Sequence, residues 1–203
     1  AKLLKENLHI AYRGMRPFGQ FNISSEDAKK MLDADAKNSQ VVRPYYSDVD
    51  INIKDRGVWT VDFGVDMTEE EAAKFALPFK HVQENVYPSR KHNGRKEYAE
   101  NWWLYANTRP AVRHAIKDLK RYIAIPLVSE FKIFQWVDKN VVPADMLTVI
   151  ARDDDYFFGV LHSKLHEIWR LIKTKYYPYP SRYDPEKHFE TFPFPYVPGK
   201  ENK

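Results

Sequence analysis

Between residues 157 and 172, apolar side chains recur at spacings of three and four: Phe158, Leu161, Leu165, Ile168, Trp169 and Ile172. That period winds into one stripe along an α-helix, so the stretch predicts a single helix with one buried face. Short apolar or alternating runs predict strands over 41–46 and 59–63, and again over 122–128, 131–137 and 147–151. Residues 10–23 hold Gly14, Pro17 and Gly19 between short apolar pieces, the pattern of strand, turn and strand. Helix starts carry their own signals. Ser24 or Ser25 stands before Glu26 and Asp27, with Lys29 and Lys30 a turn later, the charge order that a helix dipole favours. Thr68 and Glu71 form a capping-box pattern for a helix that runs to about Leu77, where Pro78 stops it. A further helix is expected over 109–119, while the Tyr-, Pro- and Phe-rich tail beyond residue 173 has little period and predicts an ordered loop laid over the domain. These elements make one α+β domain over residues 1–203, a mostly antiparallel sheet with flanking helices.

Composition supports a packed core, with 43% hydrophobic and 15% aromatic residues. The formal charge of +4 permits a polyanionic partner without demanding one, so the distribution of charge has to decide. The absence of cysteine excludes disulfides and thiolate chemistry and fits a reducing compartment. No apolar stretch approaches the ~18 residues of a membrane span, and a cytoplasmic location with no membrane partner is the expectation. Ala1 opens the chain where a Met would stand, and the residues before Ile10 lead straight into a strand-like segment, as in a fragment of a longer protein.

Two segments mix cations with aromatic rings. One runs from Arg90 through Lys91, His92, Arg95 and Lys96 to Trp102, Trp103 and Tyr105; the other gathers Lys173, Lys175, Tyr176, Tyr177, Tyr179, Arg182 and Tyr183. Such cations neutralise phosphates, and Arg also pairs with guanine in the major groove. The plainer alternative is that the lysines are solvated and the rings pack, and composition alone favours it. His162 and His166, four apart on the predicted helix, have a metal-ligand spacing but lack the intervening glutamate and a third ligand, which leaves them polar or hydrogen-bonding residues. Asp153, Asp154 and Asp155 could gather a hard cation, but acids just before a helix cap it, and capping is the expected role. Asp118 with Glu130 and Lys132 has the outline of a magnesium nuclease, although Asp118 falls near a helix end. There is no glycine-rich loop after a strand, no serine elbow and no thiol nucleophile, so no active site assembles and no cofactor or metal site is expected in this chain.

Several strings, taken in order, resemble the target-recognition region of MmeI-like restriction–modification enzymes and related adenine methyltransferases. They include Arg13-Gly14-Met15-Arg16-Pro17-Phe18-Gly19, Val42-Arg43-Pro44-Tyr45 and Trp102-Trp103-Leu104-Tyr105. The most specific are Phe158-Gly159-Val160-Leu161-His162-Ser163 and Phe189-Glu190-Thr191-Phe192-Pro193-Phe194-Pro195. The resemblance implies that the chain binds double-stranded DNA and does not itself catalyse. A separate domain of the same parent chain would bind S-adenosylmethionine and methylate adenine N6, and some relatives add an endonuclease. It also implies that residues 173–184 lie near bases, with Arg182 foremost and Lys173, Lys175 and Tyr179 beside it. Here that stretch departs from relatives with Gly-rich or Asn-Asp-Pro versions by carrying Tyr-Tyr-Pro-Tyr-Pro. Arg43, Arg90, Lys91, Arg95 and Lys96 are then expected on phosphates, where they orient the protein without reading sequence.

Overall fold

A computed structural model describes residues 2–129, 132–174 and 182–196. Among them are eight strands: β1 (Ala11–Arg13), β2 (Asn22–Ile23), β3 (Val42–Tyr46), β4 (Trp59–Val61), β5 (Arg121–Pro126), β6 (Gln135–Asp138), β7 (Val142–Pro143) and β8 (Leu147–Ile150). They form two four-stranded sheets, in the orders β1-β8-β5-β6 and β2-β4-β3-β7. Every pairing is antiparallel except β3 with β7. Around them lie α1 (Ser25–Ala34), α2 (Asp48–Asn52), α3 (Glu69–Ala72), α4 (Ala76–Asn85), α5 (Tyr87–Arg90), α6 (Lys96–Glu100), α7 (Pro110–Ile116), α8 (Asp155–Leu161) and α9 (Lys164–Lys173). The fold is α+β, as expected.

Sequence reading and structure differ where one local rule met a stronger one. The two strands expected over 10–23 do form, but β1 joins the first sheet and β2 the second, so they never pair with each other. The crossing point is Gly14: its N–H donates to Leu147 of the first sheet at 3.0 Å, and Met15 donates to Pro143 of the second at 2.8 Å. A Cβ on Gly14 would lie 2.0 Å from the Ala144 carbonyl oxygen, so only glycine passes this seam. Pro78 does not stop a helix. It is buried in the first turn of α4, where its missing N–H costs nothing, and the Thr68–Glu71 capping box opens the separate short α3. The strand expected over 131–137 is the shorter β6, and β7 carried no pattern that marked it.

The single helix expected over 157–172 is two helices. Ser163 is extended (φ −67°, ψ 151°) and caps α9 by accepting the His166 N–H, which resets the helical phase. In α8, Leu161 is buried as the period implies, but Phe157, outside the stripe, is buried while Phe158, within it, is only half-buried. In α9 the pattern inverts: Leu165, Ile168 and Ile172 are 72%, 43% and 68% exposed, and the buried residues are His166 and Arg170.

The core has two parts. The larger includes Phe21, Val61, Phe63, Trp102, Trp103 and Val142; the smaller joins Ile123, Ile125, Phe134, Ile150, Phe157, Tyr183 and Phe189. The described part of the tail supplies the last two residues and holds a π-helical turn, Pro185–Phe189, where no regular element was expected. Buried Asn7 ties that turn down by donating to the carbonyls of Phe192 (2.7 Å) and Phe189 (3.3 Å).

Candidate nucleic-acid interface

Strand register brings separate pieces of chain to one end of the first sheet. Arg13 lies opposite Thr148, Thr148 opposite Ile125 and Leu147 opposite Pro126, so β1 ends, β8 begins and β5 ends at the same edge. Just past β5, Val128 forms an isolated antiparallel bridge with Arg182, and the Tyr183 N–H donates to Leu127 at 2.7 Å. The Tyr183 ring is fully buried, so the backbone of Arg182 is pinned while its side chain stays exposed.

Three guanidinium groups meet at this edge, where the one carboxylate in contact, that of Asp145, lies beside Arg16 alone. Arg13 Nε donates to the Asp145 carbonyl at 2.8 Å, Arg16 Nε lies 3.8 Å from Asp145 Oδ2, and Arg109 Nε donates to the Gly14 carbonyl at 3.3 Å. Burial, and after it the neighbouring Arg13 charge, hold the Arg109 guanidinium below its ordinary pKa. Positive charges crowded beyond what their acid neutralises repel one another, and a polyanion laid across them relieves that repulsion.

Arg90 does not point at solvent. It is 1% exposed, and backbone carbonyls ring its guanidinium: Phe18 accepts from Nε (3.0 Å) and Nη2 (2.6 Å), Leu104 (2.6 Å) and Trp102 (3.3 Å) from Nη1, and Pro17 from Nη2. Burial lowers its pKa to about 10, which leaves it cationic at neutral pH. The expected phosphate contact is therefore corrected: no N–H on Arg90 is left for DNA, and its work is to fasten residues 17–18 to 102–104. Arg43 is committed only in part and keeps a quarter of its side chain exposed. Its Nε and Nη2 donate to the carbonyls of Asn140 (2.9 Å) and Lys139 (3.0 Å), bracing the turn before β7 against β3.

Residues 7–196 match the family described as MmeI, target recognition domain. The chain belongs to that family. A solved structure described as "Structure of Type IIL restriction-modification enzyme MmeI in complex with DNA has implications for engineering of new specificities" is similar in fold, with a TM-score of 0.68 at 19% identity over 91% of this chain. The chain spans about a quarter of that protein's length, 24%. No curated protein sequence matches it.

The remaining expected contacts of this MmeI-type target recognition domain are scattered. Lys91, Arg95 and Lys96 are exposed: Lys91 lies 5.9 Å from the Tyr87 ring centroid, Arg95 donates to the Tyr98 hydroxyl at 3.0 Å, and Lys96 pairs with Glu100 at 3.1 Å. Lys173 is half-buried, its ammonium 4.3 Å from the Trp169 ring centroid. Lys175 and Tyr179 lie outside the described residues. A cleft of about 310 Å³ lined by Arg43, Arg113, Lys117 and Lys139 adds a second basic surface. Its charge is tempered inside by Asp62, which holds Arg113 through two contacts of 2.7 Å. A larger cleft of about 700 Å³ beside Arg90 and Trp103 carries Asp66, Glu69, Glu70 and Glu97, a lip that repels phosphate.

The other sequence candidates resolve into structural roles. Asp154 caps α8 as expected, accepting the Phe157 N–H at 2.7 Å, and it also takes the Arg152 Nε at 2.7 Å. His166 is buried, with Nδ1 on the Leu161 carbonyl at 3.0 Å and Nε2 3.4 Å from the Tyr183 hydroxyl. Asp118 pairs with Lys117, and Glu130 lies outside the described residues. Among the described residues, no three His, Cys, Asp or Glu side chains gather as a metal site, and no helix is long and apolar enough to cross a membrane. Sequence reasoning gave no site role to Arg13, Arg16 or Arg109. The available signal was two arginines flanking a glycine just before Pro-Phe-Gly.

Proposed function

We propose that this chain reads a short sequence in double-stranded DNA for an adenine-N6 methyltransferase of a restriction–modification system. The single observation that carries the reading is the gathering of Arg13, Arg16 and Arg109, with only the Asp145 carboxylate beside Arg16, at the sheet edge where Arg182 is also pinned. Family membership supports it. In this reading the chain supplies the address and a catalytic domain of the same parent chain supplies the chemistry. That domain holds S-adenosylmethionine and flips the adenine out of the stack. The work is done in the bacterial cytoplasm, where the DNA is. Arg182 reads bases, with Lys173, Lys175 and Tyr179 near it, and the arginine group sets register on the backbone.

The test is fluorescence anisotropy of labelled duplexes against the 203-residue chain across a chloride series. Each phosphate neutralised steepens the log–log slope by about 0.9, so the three arginines alone give a slope near −3. Binding that ignores salt, or no binding at low salt, overturns the reading. In a panel of sequences, Arg182→Ala flattens the preference among duplexes; a uniform loss across all of them removes Arg182 from base reading.

A further inference from the structure

The turn that follows the arginine strand is held more firmly than the fold requires. Phe18 adopts φ 55° and Gly19 φ 135°, the first a conformation that a side chain with a Cβ pays to adopt. Arg109, which closes the other side of the same turn, is also left-handed at φ 52°. Arg16 and Asn107 exchange backbone hydrogen bonds of 3.1 Å each, Ala106 donates to Pro17 at 3.1 Å, and the Arg90 guanidinium grips the carbonyls of Pro17 and Phe18 from below. Such strain persists only where the surroundings over-determine it, and it concentrates at sites of function.

What this holds in place is an aromatic ring in water. Phe18 is 42% exposed, with Tyr98 behind it at 5.4 Å between ring centroids and the Arg16 guanidinium 5.7 Å from its centroid. A phenylalanine that served the core would point inward and need no left-handed backbone. A rigid ring flanked by arginines has the chemistry of a nucleic-acid contact, with cations for the phosphates and an apolar face for a base.

We propose that the turn from Arg16 to Gly19 is a DNA-reading tip: Phe18 rests against the apolar surface of a base while Arg13, Arg16 and Arg109 hold the adjoining phosphates. Arg90 is its positioning residue. The base surface is either a thymine methyl in the groove or the face of a partly unstacked base. The inference rests on the DNA-binding reading above and adds a contact that reading does not need.

Phe18→Gly and Phe18→Ala separate it from folding, because glycine removes the left-handed strain and leaves the melting temperature unchanged or higher. With pooled short random-sequence duplexes, both variants are expected to bind about tenfold more weakly at an unchanged salt slope, since no charge is lost. Arg16→Ala makes the slope shallower by about 0.9. With 2-aminopurine in place of adenine, a fluorescence rise with the unaltered chain that Phe18→Gly abolishes identifies an unstacked base. An affinity loss on replacing thymine by uracil, matched by Phe18→Gly, identifies the methyl. Folded Phe18 variants that bind as tightly as the unaltered chain overturn the proposal. Absence of salt-dependent binding by the unaltered chain defeats the DNA reading itself, and the tip with it.

Discussion

Residues 13–16 and residues 89–96 look alike as text, each a short basic run beside aromatic and glycine residues, yet they deliver their charge in opposite directions. The backbone of Arg13 pairs with β8 and that of Arg16 with Asn107, on either side of the seam at residues 14–15, so the side chains are left at the surface. At Arg90 the reverse holds: the turns 17–18 and 102–104 turn their carbonyls toward one another, and a guanidinium fills the space between them. Whether an arginine serves a ligand or the fold is decided by where unpaired carbonyls lie. A count of basic residues is blind to that.

Removing Arg90 breaks the comparison hardest. Arg90→Met leaves buried carbonyls without donors and is expected to destabilise the chain by about 3–5 kcal/mol in urea unfolding, because one partner of a buried charged network is lost. Arg90→Lys is expected to recover only part of that, since an ammonium lacks the planar fork that reaches both turns. Loss within 0.5 kcal/mol of zero would place Arg90 with the surface cations. Gly14→Ala attacks the seam that exposes the other run, and about 3 kcal/mol of destabilisation is expected from the backbone overlap.

Acid sharpens the same contrast. His166 and His188 are buried without such a carbonyl ring, and burial lowers the pKa of each to about 4. In the unfolded chain both titrate near pH 6.5. As pH falls from about 6.5 to about 4 the unfolded state takes up protons that the folded state refuses. Stability fully present above pH 6.5 is therefore lost through that window, on the order of 3 kcal/mol for each imidazole. Thermal melts from pH 7 to 4 check this, and a flat profile would mean that both imidazoles take up protons in the fold as readily as in the unfolded chain. The smallest effect belongs to Arg13→Ala, which should change stability by under about 0.5 kcal/mol while the chloride slope for DNA becomes shallower by about 0.9.

Much of the fold was legible because it rests on local rules. The Thr68–Glu71 capping box and the Asp154 cap need only their neighbours, and each is present; the strand expected over 59–63 forms as Trp59–Val61, though without the expected alternation of buried and exposed residues. The failures were rules of phase and direction. One extended residue, Ser163, turned a continuous apolar stripe into two helices, and no periodicity count registers such a reset. The site was less legible still. The string from Arg13 to Gly19 stood out as a resemblance, but its meaning depends on Asp145, Arg109 and Arg90, which are distant along the chain and meet only through sheet register and the Gly14 crossing.

The inverted helix α9 has a practical consequence. Leu165, Ile168 and Ile172 form an oily ridge facing water, and contact between such ridges strengthens in salting-out media, whereas attraction to a phosphate backbone fades as ions are added. Adding sulfate thus pulls the molecule two ways at once, loosening its grip on nucleic acid while making it adhesive toward other greasy surfaces.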